Sequence, residues 1–70
     1  MQPHQQRVVD EKTALDEKND KLKAFIMGSV FSTLPYEERS RLDHQYDVMM
    51  EYSRILRDRI AAFTPKVQAQ

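Results

Sequence analysis

Apolar residues recur at helical spacing along both halves of the chain. In the second half, Leu42, Tyr46, Met49, Ser53, Leu56, Ile60 and Phe63 follow alternating steps of four and three. Such a seam keeps to one side of a helix along its whole length. A second stripe, Val48, Ile55 and Ala62, repeats every seven residues on another side, and Met50 and Tyr52 widen the apolar surface. In the first half, Val8, Leu15, Leu22, Phe25 and Ile26 mark a narrower face, flanked by Glu11, Lys12, Lys18 and Asn19. Neither a strand-like alternation nor an internal repeat interrupts the pattern.

The breakers place the elements. The only Gly is Gly28, and the three Pro are Pro3, Pro35 and Pro65. Between Pro3 and Gly28 the chain is rich in good helix formers, which predicts a helix over residues 4–27. Pro3 suits its first turn, and Gly28 followed by Ser29 suits its stop. A second helix is predicted over residues 35–63, capped by Thr33 or Leu34. Pro35 would hold its first position, with Glu37 and Glu38 at the positive end of its dipole and Pro65 closing it. The hinge over 28–34 is short enough to make the helices antiparallel neighbours. The polar tail over 64–70 is expected to fray.

This reading is all-α: one helical domain over residues 1–70, an antiparallel two-helix hairpin, with a short separate helical turn before residue 8 left open. One partner helix cannot cover both apolar sides of the second helix. Self-association into a helical homo-oligomer is the simplest completion.

Composition points the same way. A chain of 70 residues without Cys has no disulfide, thiolate metal site or cysteine nucleophile, which leaves oligomerisation to stabilise a small fold. With 40% apolar and 31% charged residues, it is too apolar for plain disorder. Eleven Lys plus Arg balance eleven Asp plus Glu, which argues against coating polymeric nucleic acid or an acidic membrane. There is no apolar run of roughly 18 residues, and the N-terminus lacks the basic-then-apolar order of a signal peptide. With the absence of Cys, this predicts a cytoplasmic protein.

Catalytic chemistry is not indicated. His4 and His44 fall on different helices without an acidic cluster, so neither a metal site nor a cofactor is expected. The neighbours Asp10 and Glu11, Asp16 and Glu17, and Glu37 and Glu38 point to adjacent helix faces, each with a base within a turn. Glu17 with Lys21 and Glu37 with Arg41 have the favourable order for i,i+4 pairing. The expectation is no enzyme. Gln45, Tyr52 and Arg59 share one stripe at seven-residue spacing, offering an amide, an aromatic face and a bidentate phosphate binder. The bland alternative is an Arg59 that snorkels at a subunit interface. Subunit junctions are also favoured places for ligand pockets.

Two blocks of residues carry a resemblance. Gln5-Gln6-Arg7-Val8-Val9-Asp10-Glu11-Lys12, then Leu15-Asp16-Glu17-Lys18 and Leu22 through Phe25-Ile26, form the first. The second is Phe31, Leu34, Glu38, Leu42, Gln45, Met49, Tyr52, Leu56 and Arg59-Ile60-Ala61-Ala62-Phe63. Over residues 4–63 the chain resembles the phage anti-CBASS protein 2 family, sponges for cyclic oligonucleotides. CBASS is a bacterial defence in which a cyclic di- or trinucleotide activates a killing effector. The resemblance implies a helical hexamer in the host cell cytoplasm that binds cyclic oligonucleotides of the cyclic GMP–AMP type without cleaving them. It implies pockets between protomers for cyclic dinucleotides and, in some members, a separate site for cyclic trinucleotides.

The family's pocket uses an aromatic residue near the N-terminus, a Lys on the first long helix and an Arg late in the second. By position these fall on His4, Lys18 and Arg59, with imidazole at residue 4 in place of a phenol and less area for stacking. Arg7 and Lys21 join them from the helical reading, as cations on adjoining turns. A ligand with two phosphates and two flat bases needs cations and stacking surfaces. The zero net charge disfavours polymeric nucleic acid but is no obstacle to so small an anion. Without the resemblance, the Val48, Ile55 and Ala62 stripe favours an oligomeric adaptor for a protein partner.

Overall fold

Pro3 opens the first helix because its ring fixes a helical φ and its missing N–H would have no partner there. In the computed structural model, which describes residues 1–63, α1 spans Pro3–Ile26 and α2 spans Tyr36–Ala61. Gln2 caps α1. Its carbonyl accepts from the Gln5 and Gln6 N–H groups at 3.0 Å, and its own N–H donates to Gln5 Oε1 at 2.9 Å. Because α1 runs unbroken from Pro3, the open question of a separate turn before residue 8 closes against it.

The stop of α1 differs from the expected glycine cap. Met27 is the C-cap, the Gly28 N–H donates to Phe25 O at 3.0 Å, and no residue takes a positive φ among the described residues. Gly28 therefore ends the helix by low helix propensity rather than by a left-handed turn. A 3₁₀ turn at Phe31–Thr33 follows, with Phe31 set edge-on against Phe25 at 6.4 Å between ring centroids.

The N-terminus of α2 also departs from expectation. Pro35 itself is the N-cap, and its carbonyl accepts from Glu38 and Arg39 N–H at 3.0 Å. Pro35 forces Leu34 into extended backbone, which carries Thr33 out of reach of the helix end. The Thr33 hydroxyl instead donates to Val30 O at 2.6 Å and closes the 3₁₀ turn. Glu37 and Glu38 do lie in the first turn of α2. Ala62 is its C-cap; Pro65 and the tail over 64–70 lie outside the described residues.

The two helices pack as a hairpin of 50 × 22 × 15 Å. Its interior is small: Val8, Leu15 and the fully buried Leu56, with Met49, Ile60 and Phe63 packed around them. Ser53 and Asn19 are buried as well. Asn19 was expected on the flank; it lies instead on the inward row Val8, Lys12, Leu15, Asn19, Leu22 and Ile26, whose steps of four and three face α2. A hairpin covers one side of each helix. Val48, Met50, Tyr52 and Ile55 remain exposed on α2.

Candidate functional site

Polar groups tie the helices together around the small core. Asp16 on α1 accepts from Ser53 Oγ of α2 at 2.6 Å and from Lys12 Nζ at 2.6 Å. The Lys12 hydrogen bond first, and that of Ser53 second, hold the Asp16 carboxyl below its ordinary value. Asn19 Nδ2 reaches Met49 O at 3.4 Å, while its Oδ1 is buried without a partner. Toward the other flank, the Tyr52 hydroxyl donates to the Glu11 carboxylate. That hydrogen bond, then burial and the Glu11 charge, push the phenol up, against the opposing pull of Arg59.

The cations fall into two classes. Lys12 is bound to Asp16, Arg41 to Glu38 at 2.9 Å, Arg54 to Glu51 and to Asp58, and Arg57 to Asp58 at 3.2 Å. Arg39 donates to Leu34 O at 3.1 Å and lies over the Tyr36 ring. The expected pairs of Glu17 with Lys21 and of Glu37 with Arg41 do not form: Arg41 turns to Glu38, three residues away. Rotamers of long surface side chains differ little in energy, and exposed pairs are weak, so i,i+3 and i,i+4 partners are near alternatives.

Arg7, Lys18, Lys21 and Arg59, all exposed, have no ion pair among the described residues. Lys23 shares that state, on the far side of α1. The basic residues singled out from the sequence as candidate ligand contacts all fall in this unpaired set, which also holds Lys23. His4 is exposed too, at the start of α1.

Helical geometry places these residues. His4, Arg7, Glu11, Ala14, Lys18, Lys21 and Phe25 follow alternating steps of three and four, one stripe along the flank of α1. The Glu11–Tyr52 contact brings α2's Gln45, Tyr52 and Arg59 stripe beside it. The antiparallel register puts Arg59 near the His4 and Arg7 end, while Lys18 and Lys21 lie toward the hinge. At about 1.5 Å per residue, Lys18 and Arg59 sit roughly 15–20 Å apart along the axis of one chain. One protomer thus assembles the flank but does not converge Lys18 and Arg59 on a single phosphate.

A groove of about 430 Å³ on the opposite flank is lined by Lys12, Asp47, Met50, Glu51, Ser53, Arg54 and Arg57. None of the sequence-selected residues lines it. Its cations are already neutralised: Arg54 holds the Glu51 carboxyl below its ordinary value through their hydrogen bond. An anion there would compete with carboxylates already beside the cations, at a small cost for exposed pairs, whereas Arg7, Lys18, Lys21 and Arg59 have no such partner among the described residues. Among the described residues there is no group of three His, Asp or Glu placed to hold a metal ion, and no helix is long and apolar enough to cross a membrane.

Sequence reasoning missed the tie between Glu11 and Tyr52. Its signal was present: Glu11 stands midway between His4 and Lys18 at seven-residue steps, on the same stripe as the cations.

Residues 2–62 match the family model described as Sequestin. Comparison with curated proteins and with solved structures gives no match.

Proposed function

The chain belongs to the Sequestin family, and on that premise we propose that it sequesters cyclic oligonucleotide second messengers without cleaving them. The family's name points to ligand sequestration. The observation that carries the ligand class is the flank of unpaired cations, Arg7, Lys18, Lys21 and Arg59, set beside an exposed aromatic ring. Cations that make no internal ion pair keep their full attraction for a phosphate. The resemblance over residues 4–63 to the anti-CBASS sponges supplies the rest of the reading. The protein acts in the cytoplasm of a phage-infected host, holds cyclic di- and trinucleotides, and so keeps a CBASS effector silent.

Assembly belongs to the same reading. Lys18 and Arg59 stand roughly 15–20 Å apart along the axis of one chain, and a second copy brings further cations to the same ligand. The exposed Val48 and Ile55 stripe beside Arg59 gives such a copy apolar surface to cover. A hexamer follows from the resemblance. Sequestration depends on affinity and copy number rather than turnover.

Calorimetry with a panel of cyclic di- and trinucleotides tests the proposal. Heat is expected at micromolar protein, with intact nucleotide recovered after denaturation. Lys18→Ala and Arg59→Ala should each weaken binding by about 1.5–3 kcal/mol if each makes a charged hydrogen bond. Lys23→Ala, unpaired but on the far side of α1, should leave binding unchanged. Absence of heat across the panel, or recovery of cleaved nucleotide, would sink the function. Equal binding by the Lys18 and Arg59 variants would sink the site alone.

A further inference from the structure

Three aromatic rings of the described residues stand in exposed positions: Phe25, Tyr36 and Tyr52. Phe25 packs edge-on with Phe31, and the Tyr36 ring has the Arg39 guanidinium over it at 5.8 Å. Tyr52 has neither kind of cover. Its hydroxyl is anchored on Glu11 across the helix pair, which fixes a side chain of only two torsions. Val48 and Ile55, one turn to either side of it, are also exposed. Arg59 is near enough to act on the phenol electrostatically. The ring therefore lies in an apolar strip between unpaired cations, held by a carboxylate from the other helix.

We propose that Tyr52 is the base-stacking residue of the ligand site and that Glu11 is its positioning residue. This rests on the cyclic nucleotide reading above. Every nucleobase has a π-face, so an anchored phenol stacks on any of them, and it offers the area that the imidazole of His4 lacks. Anchoring restricts the ring before the ligand arrives, so less freedom is lost on binding. The Glu11 charge works the other way, repelling a phosphate while its oxygen holds the phenol.

Full-length protein, cyclic GMP–AMP and a cyclic dinucleotide carrying 2-aminopurine provide the test, by calorimetry and by quenching of the aminopurine on stacking. Tyr52→Leu should weaken binding roughly tenfold or more and abolish quenching. Tyr52→Gln, which lacks the ring without adding apolar surface, should do the same. Glu11→Ala should reduce quenching, and in the Tyr52→Leu background should leave binding no weaker than Tyr52→Leu alone. Glu11→Gln keeps an acceptor for the hydroxyl and removes the charge, so quenching stays and affinity holds or rises. Helicity and native mass should match the wild type throughout. Undiminished quenching in both ring-less variants, alongside weakened binding by Lys18→Ala, overturns the Tyr52 assignment and leaves the cyclic nucleotide reading standing. Undiminished quenching in Glu11→Ala overturns the positioning role. No binding by the wild type removes both.

Discussion

Asn19 is the least comfortable residue in the hairpin, and replacing it by Leu should stabilise the protein. Its side chain is only 4% exposed, and its Oδ1 is buried with no hydrogen-bond partner. A buried acceptor without a donor costs about 1–3 kcal/mol. The compensating Nδ2 bond to Met49 O is long, at 3.4 Å, so its return lies at the weak end of about 0.5 kcal/mol. Removing the amide leaves the Met49 carbonyl inside α2, where the helix supplies a donor from Ser53. Leucine branches at the same Cγ and continues the row of Leu15 and Leu22; it is larger than asparagine, and the neighbouring side chains at this helix seam must shift to admit it. The expected gain is about 1–2 kcal/mol, or roughly 4–16 °C in Tm for a domain of this size. Urea and thermal unfolding followed by circular dichroism at 222 nm, at several protein concentrations, would measure it. Asn19→Asp gives the opposite control, since an unpaired buried charge must destabilise strongly. A loss of stability that grows with protein concentration would mean that Oδ1 finds its donor on a second copy, and a loss at every concentration would sink the unsatisfied-acceptor reasoning.

Other substitutions probe the rest of the packing. Leu56 is fully buried, so Leu56→Ala should cost about 2–5 kcal/mol, a large part of the total for so short a chain, and a urea midpoint shift will show it. The lowered Asp16 carboxyl makes folding favourable above its ordinary value near 3.8; that contribution fades as pH falls through the still lower folded value. Ser53→Ala should flatten this acid limb and cost about 1 kcal/mol by the lost hydrogen bond, both read from unfolding curves between neutral pH and acid. At Gly28 a Cβ would meet only Ala24 O and Phe25 O, each at 3.4 Å, on a backbone without positive φ. Gly28→Ala should therefore hold or raise Tm, by up to about 1 kcal/mol, and a clear loss would mean that this turn needs glycine after all.

The two helices were legible because their spacing carries the physics directly. The seam from Leu42 to Phe63 lies against α1 with Leu56 and Ser53 at its buried centre, and a helix-period pattern admits few other arrangements. The turns were less so. Pro35 serves as its own cap because a proline sets both its own φ and the extended backbone before it, so the nearby Thr33 is never presented to the helix end. Asn19 was hidden by its chemistry: its position in the row Val8, Leu15, Leu22 is a core position, but an amide reads as surface. Of the candidate site, the individual cations could be read from their positions, whereas their freedom could not. Whether Arg41 reaches Glu37 or Glu38 is decided by rotamers of nearly equal energy, which spacing alone does not rank.

That difference between paired and unpaired cations resolves what a net charge of zero conceals. Neutrality is a sum, and ligands respond to local fields rather than to sums. On one flank Arg54, Arg57 and Lys12 are spent on Glu51, Asp58 and Asp16, leaving a groove that is rich in charge yet electrically quiet. On the other, Arg7, Lys18, Lys21 and Arg59 are exposed and make no ion pair among the described residues, and Glu11 is the one carboxylate on the α1 stripe, engaged with Tyr52. Polymeric nucleic acid needs many cations in register with a long phosphate backbone, which a flank this short does not offer. A compact anion with two or three phosphates needs only a few, provided they converge. Within one chain they do not, because Lys18 and Arg59 lie at different levels of the hairpin. Under the proposed self-association, a second copy that brings its Arg59 end to the Lys18 end of the first closes that gap.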